Sequence, residues 1–231
     1  MILYGRNPVR EALRGRRRVK RVWATEAARR SEGWLAAAAG IEVVGAAEIA
    51  ERAGSAEHQG ICAEVEAYPY ADVDGLLEAA DALVMVLDEV QDPHNLGAVC
   101  RVAESVGAAG VVIGERRSAE VTAAAAKASA GAVEHLPVAR VRNVADWLAA
   151  AKERGAWVYG AAAGPGSVSY AQPDYRGRVV VVMGSEGKGL RPRVAAACDQ
   201  LVALPQRGKL ESLNVSTAAA ALMYGILQFR A

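Results

Sequence analysis

Short apolar runs, bounded by polar turns, alternate along this chain with longer stretches whose apolar positions follow a helical period. Continuous apolar runs at 83–87 and 179–183 suit strands buried on both faces. Further strands are expected at 110–113, near 136–141 and at 157–161. Between them, helices are expected at 96–106, 119–130 and 143–154, and an Ala-rich helix follows residue 214. A loop is expected over 164–174. This alternation predicts a parallel sheet with helices on its faces, an α/β fold.

The first 67 residues read as a smaller α/β module. Asn7-Pro8 predicts a helix start, with Asn7 as N-cap and Pro8 in the first turn, and Gly15 a stop after Arg14. Strands are expected at 19–24, 41–44 and 60–67. Thr25 predicts a helix through 39, ended by Gly40, and residues 46–53 another, ended by Gly54. Residues 68–72 read as a linker, and a helix over 73–80 opens the next domain. The expected organisation is a substrate-binding domain at 1–67, a linker at 68–78 and a second domain at 79–231.

Composition narrows the function. The chain has 231 residues, enough for two small cores. No apolar stretch is long enough to cross a bilayer. Arg6 and Arg10 follow Met1 to Leu3 at once, so no signal peptide is expected and the protein is expected to be cytoplasmic. Three cysteines, Cys62, Cys100 and Cys198, and three histidines, His58, His94 and His135, show no metal-ligand spacing. No metal is expected, the thiols are expected to be reduced, and a Ser-His-Asp triad is disfavoured. The net charge of +1 conceals a bias: residues 1–30 hold ten Lys/Arg and two Glu. A basic end suits phosphate contacts, which need only positive charge. The candidates are Arg6, Arg14, Arg16, Arg17, Arg18, Lys20 and Arg21.

The chemistry-bearing turns lie later. The 179–183 run ends in Gly184-Ser185-Glu186-Gly187-Lys188-Gly189-Leu190. A second turn runs from Leu204-Pro205 to Ser212-Leu213-Asn214-Val215-Ser216. Open α/β sheets bind ligands in such turns, at strand carboxyl ends. Ser212 and Asn214 suit either a helix N-cap or a ligand pocket. A third polar segment carries Asp92-Pro93-His94-Asn95-Leu96-Gly97, then Arg101 on an apolar helix. Asn95 reads as a cap or a site residue, and Arg101 needs a partner, either Glu186 or a substrate phosphate. The Gly-Lys-Gly at 187–189 is not a Walker A loop, and no dinucleotide fingerprint or nucleophile elbow is present.

Taken in order, these segments resemble the three motifs of the SpoU-type RNA ribose 2′-O-methyltransferases of the SPOUT superfamily. Tyr4-Gly5-Arg6-Asn7-Pro8-Val9 with Glu11-Ala12-Leu13 is similar to the RlmB group, which methylates a guanosine of 23S, large-subunit rRNA. The resemblance implies an N-terminal domain of the ribosomal-protein-L30e type. It also implies a SPOUT α/β-knot domain with a deep trefoil knot, a homodimer, and S-adenosylmethionine as cofactor. It implies that Gly184, Leu204 and Leu213 contact the cofactor, with Ser212 beside them. It implies that Asn95, Arg101, Glu186 and Asn214 line the reaction site. A guanidinium stays protonated, so Arg101 is expected to bind a nucleotide phosphate, oriented by Glu186, while Asn95 holds the ribose. A tRNA ribose, an antibiotic-resistance site on rRNA, and a non-catalytic ribosome-assembly role are the alternatives.

Overall fold

The computed structural model describes residues 1–37, 40–209 and 212–230. The N-terminal sheet has four strands: β1 (Ile2–Tyr4), β2 (Val19–Ala24), β3 (Ile41–Val43) and β4 (Ile61–Val65), ordered β1-β4-β2-β3. Its helices are α1 (Arg6–Arg14), α2 (Glu26–Ser31), α3 (Gly33–Ala37) and α4 (Ala46–Ala53).

Three departures from the sequence reading have local causes. β1 was not expected; its three residues are too short to show a period, and pairing with β4 alone defines it. Asn7 is not the N-cap of α1. Gly5 takes that place, because its N–H still pairs with Ile61 O at 3.1 Å and the chain turns directly from sheet into helix. Thr25 does cap its helix, accepting from Ala28 N, but the helix breaks at Glu32. The Glu32 carboxylate is bonded to Arg6 and to the Trp34 indole at 2.9 and 2.8 Å. The expected continuation over residues 38–39 lies outside the described residues.

The larger sheet has seven strands: β5 (Leu83–Asp88), β6 (Gly110–Gly114), β7 (Val138–Val141), β8 (Trp157–Ala161), β9 (Ser167–Ser169), β10 (Val179–Gly184) and β11 (Gln200–Ala203). Their order is β7-β6-β5-β10-β8-β11-β9, with every pairing parallel. Helices α5 (Pro93–Ser105), α6 (Ala123–Ala128), α7 (Val144–Glu153), α8 (Pro192–Ala197) and α9 (Val215–Arg230) complete the fold. Both sheet faces are covered. Met85, Leu87, Val111 and Val181 pack with residues of α5 and α9, and Val84, Val86, Val112 and Val182 pack with residues of α7. β5 and β10 are therefore apolar along their length, the signature of a two-sided parallel sheet. β9 falls in the expected loop at 164–174; only its pairing with β11 makes it a strand. α6 is shorter than the expected 119–130 helix, starting from a Thr122 cap.

The stretch read as a linker is packed. Tyr68 is buried and its hydroxyl donates to Val133 and Leu136 carbonyls at 3.0 and 3.2 Å. Ala71 forms a bridge with Ala139. The helix expected at 73–80 is one short 3₁₀ turn, Asp74–Leu77.

Candidate functional site

β5 and β10 lie side by side at the sheet centre, with Gly184 opposite Asp88 at their carboxyl ends. Loop 185–189 closes on itself through a 2.9 Å bond from Gly189 N to Ser185 O. Arg191, just beyond it, is fixed to Asp88: its backbone N–H and Nε donate to the carboxylate at 2.9 and 2.8 Å. Asp88 is fully buried, so these charge-assisted bonds satisfy it. Neither Asp88 nor Arg191 stands out in the sequence; the pair lies 103 residues apart, and only the fold joins it.

Gly184 sits where the same loop returns. A Cβ there would lie 2.1 Å from the carbonyl carbon of Gly189 and 2.4 Å from Leu190 N. Only a glycine allows the two backbone segments to touch. Below this crossing is a cleft of about 430 Å³, lined by Gly184, Leu204, Ser212 and Leu213 among others. The four residues expected at the cofactor thus share one cavity, although they come from turns after two different strands.

At the mouth of the cleft the three motif segments converge. Glu186 Oε1 accepts from Asn214 Nδ2 at 2.6 Å and from Asn95 Nδ2 at 3.1 Å. Asn214 Nδ2 also donates to Asn95 Oδ1 at 3.0 Å. Asn214 has a second duty as helix cap: its Oδ1 accepts from Ser216 N and Thr217 N at 2.9 and 3.3 Å at the start of α9. Asn95 is not a cap. Asp92 caps α5, accepting from His94 N at 2.9 Å, and Asn95 lies within the first turn with its amide turned to Glu186.

Arg101 is not brought into this cluster within one chain. It is exposed on α5, six residues beyond Asn95, which is about 9 Å along the helix axis. The expected pair with Glu186 does not form, because that carboxylate is engaged by the two asparagines. A second depression, of about 280 Å³, shares Ser185, Glu186, Lys188 and Val215 with the first cleft and is lined by Asn95 on its other side. Two adjoining sites therefore meet at the polar cluster.

The basic residues of the N-terminal module divide. Arg6, Arg14, Arg16, Arg18, Lys20 and Arg21 are exposed. Arg17 is buried and does not belong with them. Its Nε donates to Glu134 Oε2 at 2.9 Å, its Nη2 bonds the other carboxylate oxygen, and its guanidinium lies 5.3 Å from the Tyr68 ring centroid. An arginine amid arginines reads as surface in sequence; its carboxylate partner is 117 residues away.

A parallel α/β sheet carrying a crossed glycine loop and a polar cluster at its strand carboxyl ends defines an α/β enzyme with a small-ligand cleft. Residues 82–224 match the SpoU rRNA Methylase family, and residues 2–71 match the family described as RNA 2'-O ribose methyltransferase substrate binding. The chain belongs to the SpoU/TrmH family of RNA methyltransferases. It is 40% identical over 242 aligned residues to YacO of Bacillus subtilis, assigned by name to the TrmH family of tRNA/rRNA methyltransferases; the match covers 98% of this chain and 94% of YacO. A Synechocystis protein named as a tRNA/rRNA methyltransferase, slr0955, is 39% identical, and this chain spans 62% of its length. A solved RNA 2'-O ribose methyltransferase shares the fold with a TM-score of 0.84 at 25% identity, covering 99% of this chain and 88% of that one. The AdoMet-bound rRNA methyltransferase of Sinorhizobium meliloti gives 0.82 at 25% identity, covering 98% of this chain and 86% of that one.

The family uses S-adenosylmethionine, and the cleft suits it. Met183, Val202, Ala218 and Leu222 form apolar walls for a flat base, and loop backbone supplies hydrogen-bonding groups. The volume falls within the usual few hundred Å³ of small-ligand sites, about 300–1,000 Å³. When bound, the cofactor supplies a methyl group on a positively charged sulfur.

Proposed function

We propose that this protein methylates a ribose 2′-hydroxyl of RNA, with a guanosine of 23S rRNA near the peptidyl-transferase centre as its target. The observation that carries this reading is the Asn95–Glu186–Asn214 cluster, seated where the cofactor cleft and the second depression meet. Gly184, Leu204, Ser212 and Leu213 hold the cofactor. The target nucleotide occupies the second depression. Asn95 and Asn214, held in orientation by Glu186, position the ribose so that its 2′-oxygen faces the methyl carbon; alignment of this kind supplies much of the barrier reduction. Arg101 binds the nucleotide phosphate and favours the developing negative charge without taking the proton.

The domain at 1–67 is the RNA-binding module, the segment at 68–78 joins it to the methyltransferase domain at 79–231, and Arg6, Arg14, Arg16, Arg18, Lys20 and Arg21 contact phosphates. The Gly184–Gly189 crossing and the insertion of β11 between β8 and β9 support a trefoil knot around the cofactor. Tyr224, Leu227 and Phe229 on α9 are 52%, 42% and 43% exposed, an apolar surface that supports a homodimer. Within such a dimer Arg101 serves a site formed with the second copy.

Transfer from labelled S-adenosylmethionine to unmodified large-subunit rRNA and to tRNA, with the methylated nucleotide mapped, tests the reading. One ribose methyl on a 23S guanosine, lost in Arg101→Ala, is the expected result. Methylation of tRNA alone overturns the substrate, and methylation of a base overturns the chemistry.

A further inference from the structure

Beyond the polar cluster, on the far side of β5, lies a third concavity of about 320 Å³ lined by Arg116, Arg117, Arg142, Arg191 and Arg193. It opens at the carboxyl ends of β6 and β7 and reaches the start of α7, where Asn143 Oδ1 caps Ala145 N and Asp146 N at 3.0 and 3.4 Å. Glu89 lines both this concavity and the nucleotide depression, so the two adjoin at that residue.

Nearby acids do not neutralise it. Asp88 engages Arg191, and Asp146 pairs with Arg193 at 2.6 Å. Glu89 lies 3.5 Å from both Arg117 and Arg191. Arg116 and Arg142 are exposed and form no ion pair among the described residues. Arg117 is 76% exposed even with its long contact. The wall thus keeps an excess of positive charge in a concave surface, where low-dielectric walls concentrate the field.

The backbone adds a second, independent mark. Glu89 and Arg117 both hold left-handed conformations, with φ of 57° and 56°. For residues with a side chain this costs about 1–2 kcal/mol each. Such outliers cluster at functional sites, where surrounding structure holds them. Here both residues line the concavity, and Glu89 Oε1 lies within 3.5 Å of Arg117 and Arg191.

We infer that this arginine-lined cleft binds backbone phosphates of the RNA strand flanking the modified nucleotide, a second phosphate-binding surface separate from the N-terminal module. Guanidinium groups suit phosphate because they donate two parallel N–H bonds. The inference rests on the RNA-methyltransferase reading above and extends it by fixing where the strand leaves the reaction site. A strand whose nucleotide occupies the depression passes Glu89 to reach this cleft.

The test is the salt dependence of RNA binding by the full chain, measured by fluorescence anisotropy on an rRNA fragment, for wild type and for Arg116→Ala/Arg142→Ala. Removing two phosphate contacts lowers the slope of log K against log [salt] by about 1.4–1.8. Affinity is expected to fall about 10- to 100-fold, while calorimetric S-adenosylmethionine binding and the melting temperature stay at wild-type values. Arg116→Lys/Arg142→Lys should keep the slope, since lysine keeps the charge, and recover most of the affinity. An unchanged slope and affinity in the alanine variant, with wild type binding RNA tightly, overturns the cleft and leaves the proposed function standing. Failure of wild type to bind any RNA overturns both.

Discussion

Replacing Gly184 with alanine adds one methyl group at the point where the 185–189 loop crosses back over its own strand. Gly184 is not in the left-handed region, so alanine can adopt its backbone angles and the effect is purely steric. The new Cβ would lie 2.1 Å from Gly189 C, 2.2 Å from Gly189 O and 2.4 Å from Leu190 N. Carbon atoms normally pack about 3.5–4.0 Å apart, so the loop must retreat by about 1.5 Å. All three obstacles are backbone, and no side-chain rotation relieves them. The retreat strains the Ser185–Gly189 bond and the anchor of Arg191 on the buried Asp88. A cost of about 3 kcal/mol is reasonable for such overpacking. At this chain length each kcal/mol lowers Tm by about 2–4 °C, so a drop of about 6–12 °C is expected in differential scanning fluorimetry.

Because Gly184, Gly189 and Leu190 all line the cleft, calorimetry should also show S-adenosylmethionine affinity reduced at least about tenfold, or 1.4 kcal/mol. Gly187→Ala is the control in the same loop. Gly187 has φ +77° and open space around its Cβ position, so alanine costs only the left-handed strain, about 1–2 kcal/mol, and cofactor affinity stays within a few-fold. A Gly184→Ala protein with wild-type Tm and wild-type cofactor affinity would show that the backbone crossing is not what shapes the site.

The other expectations concern separate parts of the molecule. Glu186→Ala should lower kcat about 10- to 100-fold with little change in Tm, because an exposed carboxylate that orients two amides is lost; steady-state kinetics retaining full kcat would remove Glu186 from the positioning role. Arg101→Lys should fall at least about tenfold in kcat/KM, since lysine cannot reproduce the guanidinium fork, and near-full turnover would refute phosphate clamping. Arg17→Ala should cost about 3–5 kcal/mol by leaving the buried Glu134 unpaired, seen in chemical denaturation, yet leave the salt slope of RNA binding unchanged; the reverse pattern would return Arg17 to the RNA surface. Burial pushes the thiols up, Cys62 to about 11 and Cys100 and Cys198 to about 12. At pH 8 none should react quickly with a disulfide reagent until the protein is unfolded, and a fast native-state burst would contradict this.

What the chain determined by itself was the local pattern. The apolar runs at β5 and β10, the Asn143 cap of α7 and the glycine stops at Gly15 and Gly54 lie where the periodicity and cap chemistry predicted. Those signals are legible because each depends on residues within a few positions of one another. The candidate site was legible as three polar segments, and the resemblance of their motifs, more than their chemistry, pointed to one site. Only the tertiary structure joined Asn95, Glu186 and Asn214 through hydrogen bonds spanning 28 to 119 residues. It separated Arg101 from Glu186, buried Arg17 against Glu134 and gathered five arginines into one cleft. Short elements such as β1 and β9 exist through their pairing partners. Parallel strand order brings distant turns to one edge of the sheet, and hydrogen bonds and charge pairs act over a few ångströms of space, whatever the distance along the chain.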